Sequence, residues 1–192
     1  MAIGAAACGG TSSGGLSASS AASSLAAADA SSPAAAGGLH LPAQLFGLNK
    51  NTGPAGKQLT RRARSLSTAI SPYGRSPVAA LYGTDSTPDV VVLVIMLTKK
   101  GMHQLAAVPP MAKGMAAAGV VNAGGTDVRS FPAAPGGEAL ECGHVTRGGG
   151  QGFVCGWVDK LTFGSVVYTP GAASSLSDAA SKTNQVRSAI GA

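Results

Sequence analysis

The densest gathering of reactive side chains is ECGHVTRGGGQGFVCGWVD, residues 141–159. Cys142, His144 and Cys155 are three soft or borderline ligands for a zinc ion, and Asp159 closes the stretch with a carboxylate. A structural zinc site takes four ligands, usually from paired short spacings such as C-x-x-C. The chain has three cysteines in all, so no second pair is on offer. A β-hairpin accounts for the spacing better. With Gly148-Gly149 as a two-residue loop, Arg147 faces Gly150. Counting outward then sets Thr146 against Gln151, Val145 against Gly152, His144 against Phe153, Gly143 against Val154 and Cys142 against Cys155. The cysteines fall at a non-hydrogen-bonded pair, where side chains approach most closely, and a disulfide is expected there. Closing so short a loop contributes about 3 kcal/mol. The same register puts Leu140, Cys142 and His144 beside Trp157, Cys155 and Phe153 on one apolar face. Val145, Val154 and Val158 point the other way. His144 reads as a packed histidine, and neither a metal nor a cofactor is assigned.

Other chemistry is thin. Gly10-Thr11-Ser12-Ser13-Gly14 fits the G-x-S-x-G pattern. That motif works by straining a serine between a strand and a helix, and here it lies in a Gly/Ser tract. Asp159 stands beside a turn, where a carboxylate bonds backbone amides. His40 and His103 fall in expected loops without a neighbouring acid. No phosphate loop or dinucleotide fingerprint occurs. No catalytic residue is assigned, and the balance leans away from an enzyme. A hydrolase or transferase with a dispersed site drawn from His40, His103 and Asp159 is the alternative.

Charge is more informative. Fourteen Lys and Arg against eight Asp and Glu give a formal net charge of +6. Lys57, Arg61, Arg62 and Arg64 form the densest group, and Lys99-Lys100 a second. Single-stranded nucleic acid is gripped by basic residues interleaved with aromatics, and only Tyr73 is near, so nucleic acid is not the expected partner. An anionic membrane surface or cell-wall polymer is. Each basic residue close to such a surface contributes about 1 kcal/mol.

The elements that must position these groups follow from periodicity. Residues 1–38 contain no aromatic, no Lys or Arg and one acid, Asp29. Such a segment buries too little apolar surface to offset its ordering entropy, and reads as a tether. Residues 39–191 read as a single domain. Thr52 is a candidate cap for a helix with Pro54 in its first turn and Leu59, Ala63, Leu66 and Ile70 at helical spacing, ending at Pro72. VAALY (78–82) and residues 89–97 read as strands joined by a turn at 84–88. Residues 109–119 suggest a short helix burying Met111 and Met115. Strands are expected at 126–131, at both arms of the hairpin and at 163–168. Ser174, Ser175 and Ser177 are capping candidates for a last helix, with Leu176, Ala180, Thr183, Val186 and Ile190 on one face and Arg187 near its C-terminal end. The class is α+β: an antiparallel sheet of five to six strands carrying an N-terminal and a C-terminal helix.

The longest apolar run, 90–97, falls short of the ~18–20 residues that span a bilayer. At the N-terminus, Ala5-Ala6-Ala7 before Cys8 resembles the end of a bacterial lipoprotein signal, in which Cys8 is lipidated. That leaves Cys142 and Cys155 as one even pair. From Cys142 through Cys155-Gly-Trp157-Val-Asp159-Lys-Leu-Thr162-Phe-Gly164-Ser-Val166 and the helix SLSDAASKTNQVRSAI, the chain is similar to a family of uncharacterised actinobacterial envelope proteins, membrane-anchored or secreted. The resemblance implies extracytoplasmic placement and no particular reaction. The expected role is therefore a non-enzymatic envelope domain that binds a protein, a cell-wall polymer or a small ligand. A cytosolic protein with three free thiols is the remaining alternative.

Overall fold

A computed structural model describes residues 38–190. Save for Gly38, the expected tether, with Cys8 and the serine motif at 10–14, lies outside the described residues. After a two-residue hairpin, β1 (Gln44–Leu45) and β2 (Leu48–Asn49), come α1 (Pro54–Ser65), α2 (Ser67–Ile70), β3 (Gly74–Gly83) and β4 (Pro88–Leu97). The helices α3 (Lys99–Ala107) and α4 (Pro109–Asn122) precede β5 (Thr126–Ser130), β6 (Gly137–Arg147), β7 (Gly150–Asp159) and β8 (Thr162–Tyr168). The last element is α5 (Leu176–Ala189). The six long strands form one antiparallel sheet in the order β3-β4-β8-β7-β6-β5. The fold is α+β: a six-stranded antiparallel sheet and a separate two-stranded one, with a helix on the N-terminal side of the main sheet and a C-terminal helix.

Both faces of the sheet are covered, which is why its central strands read as near-continuous apolar runs. Alternation along β4 sends Val90, Val92 and Val94 to one face. There they join Leu140, Cys142, Cys155, Trp157, Val166 and Tyr168 beneath Ala179, Ala180 and Val186 of α5. The other face carries Leu97, Ala139 and Val158 against Leu105 of α3 and Ala112 and Ala116 of α4. Farther along, Val145 and Val154 lie under Val120. The small residues of α4 let it sit close: a Cβ at Gly156 of β7 would collide with the Ala116 carbonyl.

The hairpin register is the one counted from its glycine loop, from Arg147 opposite Gly150 to Cys142 opposite Cys155. Gly148 and Gly149 have φ of 57° and 79°, the left-handed pair that such a loop requires. Cys142 and Cys155 are joined by a disulfide, with Cα atoms 4.0 Å apart. Leu140 and Trp157 continue the pairing into the core.

Several local expectations are corrected. Gly53, not Thr52, is the N-cap of α1, and Asp85 from the β3–β4 turn accepts the Ala55 amide at 3.3 Å. A carboxylate from a neighbouring turn thus replaces the local hydroxyl. α1 ends at Ser65, and Leu66 is 37% exposed rather than buried. Met111 and Met115 are only partly buried, because Ala112, Ala116 and Val120 are the α4 residues turned onto the sheet. α3 is an additional helix. Thr98 caps it by accepting the Gly101 amide, so Lys99, Lys100 and His103 stand on a helix instead of a strand end and a loop.

Candidate anion-binding face

α1 begins at a proline, holds no acidic residue in its first turn and carries Arg62 and Arg64 in its last. The sequence PAGKQLTRRARS has no acid anywhere to neutralise its four cations. Among the described residues the ion pairs are Lys182–Asp178 at 3.1 Å and Arg187–Asp159 at 3.9 Å, and neither involves α1. Helical geometry then divides the basic group. Positions 57, 61 and 64 stand at i, i+4 and i+7 on one face, whereas 62 is turned about 100° from 61.

The structure shows the consequence. Lys57, Arg61 and Arg64 line a depression of about 400 Å³ with Thr60 and with Lys50 from the segment before the helix. Lys50 is fixed there by long-range pairing: it bridges Tyr82 of β3, and the next amide, Asn51, donates to the Leu81 carbonyl at 2.7 Å. Lys50, Thr60 and Arg64 also border a second hollow of about 240 Å³, whose rim includes His40. No acidic side chain lines either one. Like charges held together at exposed positions repel at low ionic strength, and an anion relieves that repulsion.

Arg62 looks elsewhere. With Leu59 it forms one wall of a groove of about 790 Å³. Val91 and Val167, cross-strand partners on β4 and β8, supply an apolar floor. The opposite wall is the hairpin tip at Arg147 and Gly148, where Arg147 donates to the Ala123 carbonyl at 3.1 Å. Asp89 also lines it.

The remaining sequence candidates separate. His40 borders the α1 hollow, His103 is exposed on α3, and Asp159 lies at the far end of β7. Asp159 bonds its own turn, accepting the Leu161 and Thr162 amides at 2.9 and 2.6 Å and the Thr162 hydroxyl at 2.8 Å. The disulfide consumes both sulfurs of the Cys142, His144 and Cys155 trio, leaving His144 packed on Phe153 with ring centroids 5.4 Å apart. Glu141 faces away from His144 and accepts from Ser130 at 2.8 Å. Lys100 stands over the Tyr73 ring at 5.3 Å. Lys50 and Arg147 were not singled out in the sequence. Both lie outside the α1 run: sheet pairing brings Lys50 to the α1 depression and Arg147 to the separate groove beside Arg62. Among the described residues no helix is long and apolar enough to cross a membrane. No family model, curated protein or solved structure matches the chain.

Proposed function

We propose that this is a disulfide-braced extracytoplasmic domain whose α1 face binds an anionic envelope surface, a membrane or a cell-wall polymer. The observation that carries the reading is the convergence of Lys50, Lys57, Arg61 and Arg64 on one depression without an acid. Four cations at about 1 kcal/mol each give on the order of 4 kcal/mol close to such a surface, a thousandfold in affinity. The Cys142–Cys155 bond supports the compartment, since disulfides persist where the environment is oxidising. In this reading Cys8 carries a lipid and keeps the domain near the membrane, so the basic face acts as a second, electrostatic attachment. The role requires no reaction.

The test is co-sedimentation of the oxidised chain with vesicles of phosphatidylglycerol and phosphatidylcholine, and with an anionic polymer. Binding to the charged preparations at low salt, and none to phosphatidylcholine alone, supports the reading. Equal binding to both lipids, or none to either charged preparation, overturns it.

A further inference from the structure

We propose that the cavity between the β7–β8 turn and the end of α5 is a site for a small carboxylate, gripped by the free edge of the Arg187 guanidinium. This site shares no lining residue with the α1 depression.

Arg187 is in the last turn of α5, and its side chain is only 6% exposed. Burial pushes its pKa down, and the nearby Asp159 charge offsets this only in part. A guanidinium stays protonated in proteins, so a buried charge is left with weak compensation. Nη1 donates to Asn184 Oδ1 at 3.0 Å. Nε is buried without any hydrogen-bond partner, and among the described residues none accepts from Nη2. The N–H groups of Nε and Nη2 run parallel along one edge of an arginine, and that edge matches the two oxygens of a carboxylate.

Asp159 does not fill the fork. Its oxygens are committed to the Leu161 and Thr162 amides and the Thr162 hydroxyl, which hold it 3.9 Å from Nε. The guanidinium is fixed from its other sides. Asn184 Oδ1 also accepts the Ala134 amide at 2.9 Å. The two terminal nitrogens lie against Gly137, where a Cβ would collide with both. A side chain at position 137 would push the guanidinium out of this placement.

The cavity is open to solvent and has a volume of about 270 Å³, and Pro135, Gly136, Lys160, Thr162 and Ser188 help to line it. It is smaller than the ~300–1,000 Å³ of drug-sized sites, so the ligand has only a few heavy atoms. Arg187 and Lys160 against Asp159 leave one net positive charge, which a monoanion neutralises. Planarity and bidentate pairing select a carboxylate over a spherical anion such as chloride.

The experiment is a titration of the oxidised chain with sodium acetate, against sodium chloride at matched ionic strength, following the arginine 1Hε–15Nε resonances by NMR. The Arg187 Nε–H signal, assigned through bonds in the wild type, shifts saturably with acetate and not with chloride. Arg187→Lys keeps the charge, loses the fork and weakens acetate binding by about tenfold or more. Lys160→Ala, at the exposed rim, weakens it by about threefold. An Arg187 signal unmoved by about 100 mM acetate, a hundred times a millimolar Kd, overturns the proposal, as does equal movement with chloride. Undiminished affinity in Arg187→Lys does the same. Should that variant not fold, the wild-type resonance decides alone.

Discussion

The indole of Trp157 lies across Gly164, its partner on β8, filling the space where a side chain at 164 would stand. Trp157 is fully buried, and its Nε1 donates to Thr162 at 3.4 Å. The bare backbone at 164 therefore sets how flat the ring can lie between the sheet and α5. Gly164→Ala forces the ring or the strand to move, and overpacking of this kind costs about 1–3 kcal/mol. Urea unfolding followed by the fluorescence of this one tryptophan measures the loss, and an unchanged midpoint contradicts the packing described.

Replacing Cys142 and Cys155 together by alanine removes the crosslink without leaving an unpaired thiol. The unfolded chain regains the loop entropy the bond had denied it, and stability falls by about 3 kcal/mol. Peptide mapping of the denatured, unreduced wild type recovers residues 142 and 155 in one crosslinked fragment. Alkylation of either cysteine under those conditions contradicts the bond.

Tyr82 makes stability depend on alkaline pH. Burial pushes its hydroxyl from 10.0 up to about 12, and that hydroxyl donates to the Pro42 carbonyl at 2.9 Å. The unfolded chain gives up this proton first, so the native state holds more protons between pH 10 and about 12. Stability falls as pH rises through that window. Burial moves Tyr168 in the same direction. Tyr82→Phe costs about 1 kcal/mol at neutral pH and makes the alkaline decline shallower, while Tyr168 preserves part of it. A Tyr82→Phe variant with an undiminished alkaline slope in urea midpoints contradicts this account.

Asp178 acts at the other end of the scale. The Ser174 amide donates to its carboxylate at 2.8 Å, chiefly, with help from Lys182 and the Ser174 hydroxyl, and holds its pKa below the usual range. A depressed carboxylate contributes stability that is present above its unfolded value, near 4, and lost as pH falls through the lower folded one. Asp178→Asn costs about 0.5–1 kcal/mol at pH 7, and the gap from wild type narrows toward pH 2. Parallel acid unfolding curves for the two proteins contradict the assignment.

Local signals made the best-read parts of the fold legible. The β6–β7 register was open to counting because a Gly-Gly loop fixes it and side chains alternate with period two. α5 was marked by its Ser175 cap and Asp178. α3 was hidden. KKGMHQLAA carries two lysines and a glycine early, and Leu105 is its one large side chain buried in the core. What supports it is tertiary: the Thr98 cap, and the close approach of Gly101 to the Tyr73 backbone. The binding face was half legible. Lys57, Arg61 and Arg64 share a helix face that spacing reveals, but spacing alone did not send Arg62 to a separate groove or bring in Lys50. Arg187 read as a cation suited to a helix end. Its burial against Asp159 and Gly137 depends on two strands distant in sequence.

The central claim is that α1 presents a charged surface to an anionic partner. The most direct measurement is the dependence of vesicle affinity on salt, for wild type and for Lys57→Glu/Arg61→Glu/Arg64→Glu, with Arg62→Glu for comparison. Screening shortens from about 10 Å at 0.1 M to about 3 Å at 1 M salt. Wild-type binding to phosphatidylglycerol vesicles therefore weakens steeply as salt rises, the triple variant loses about a hundredfold or more at low salt, and Arg62→Glu loses far less. Equal affinity and equal salt dependence in wild type and triple variant contradict the claim.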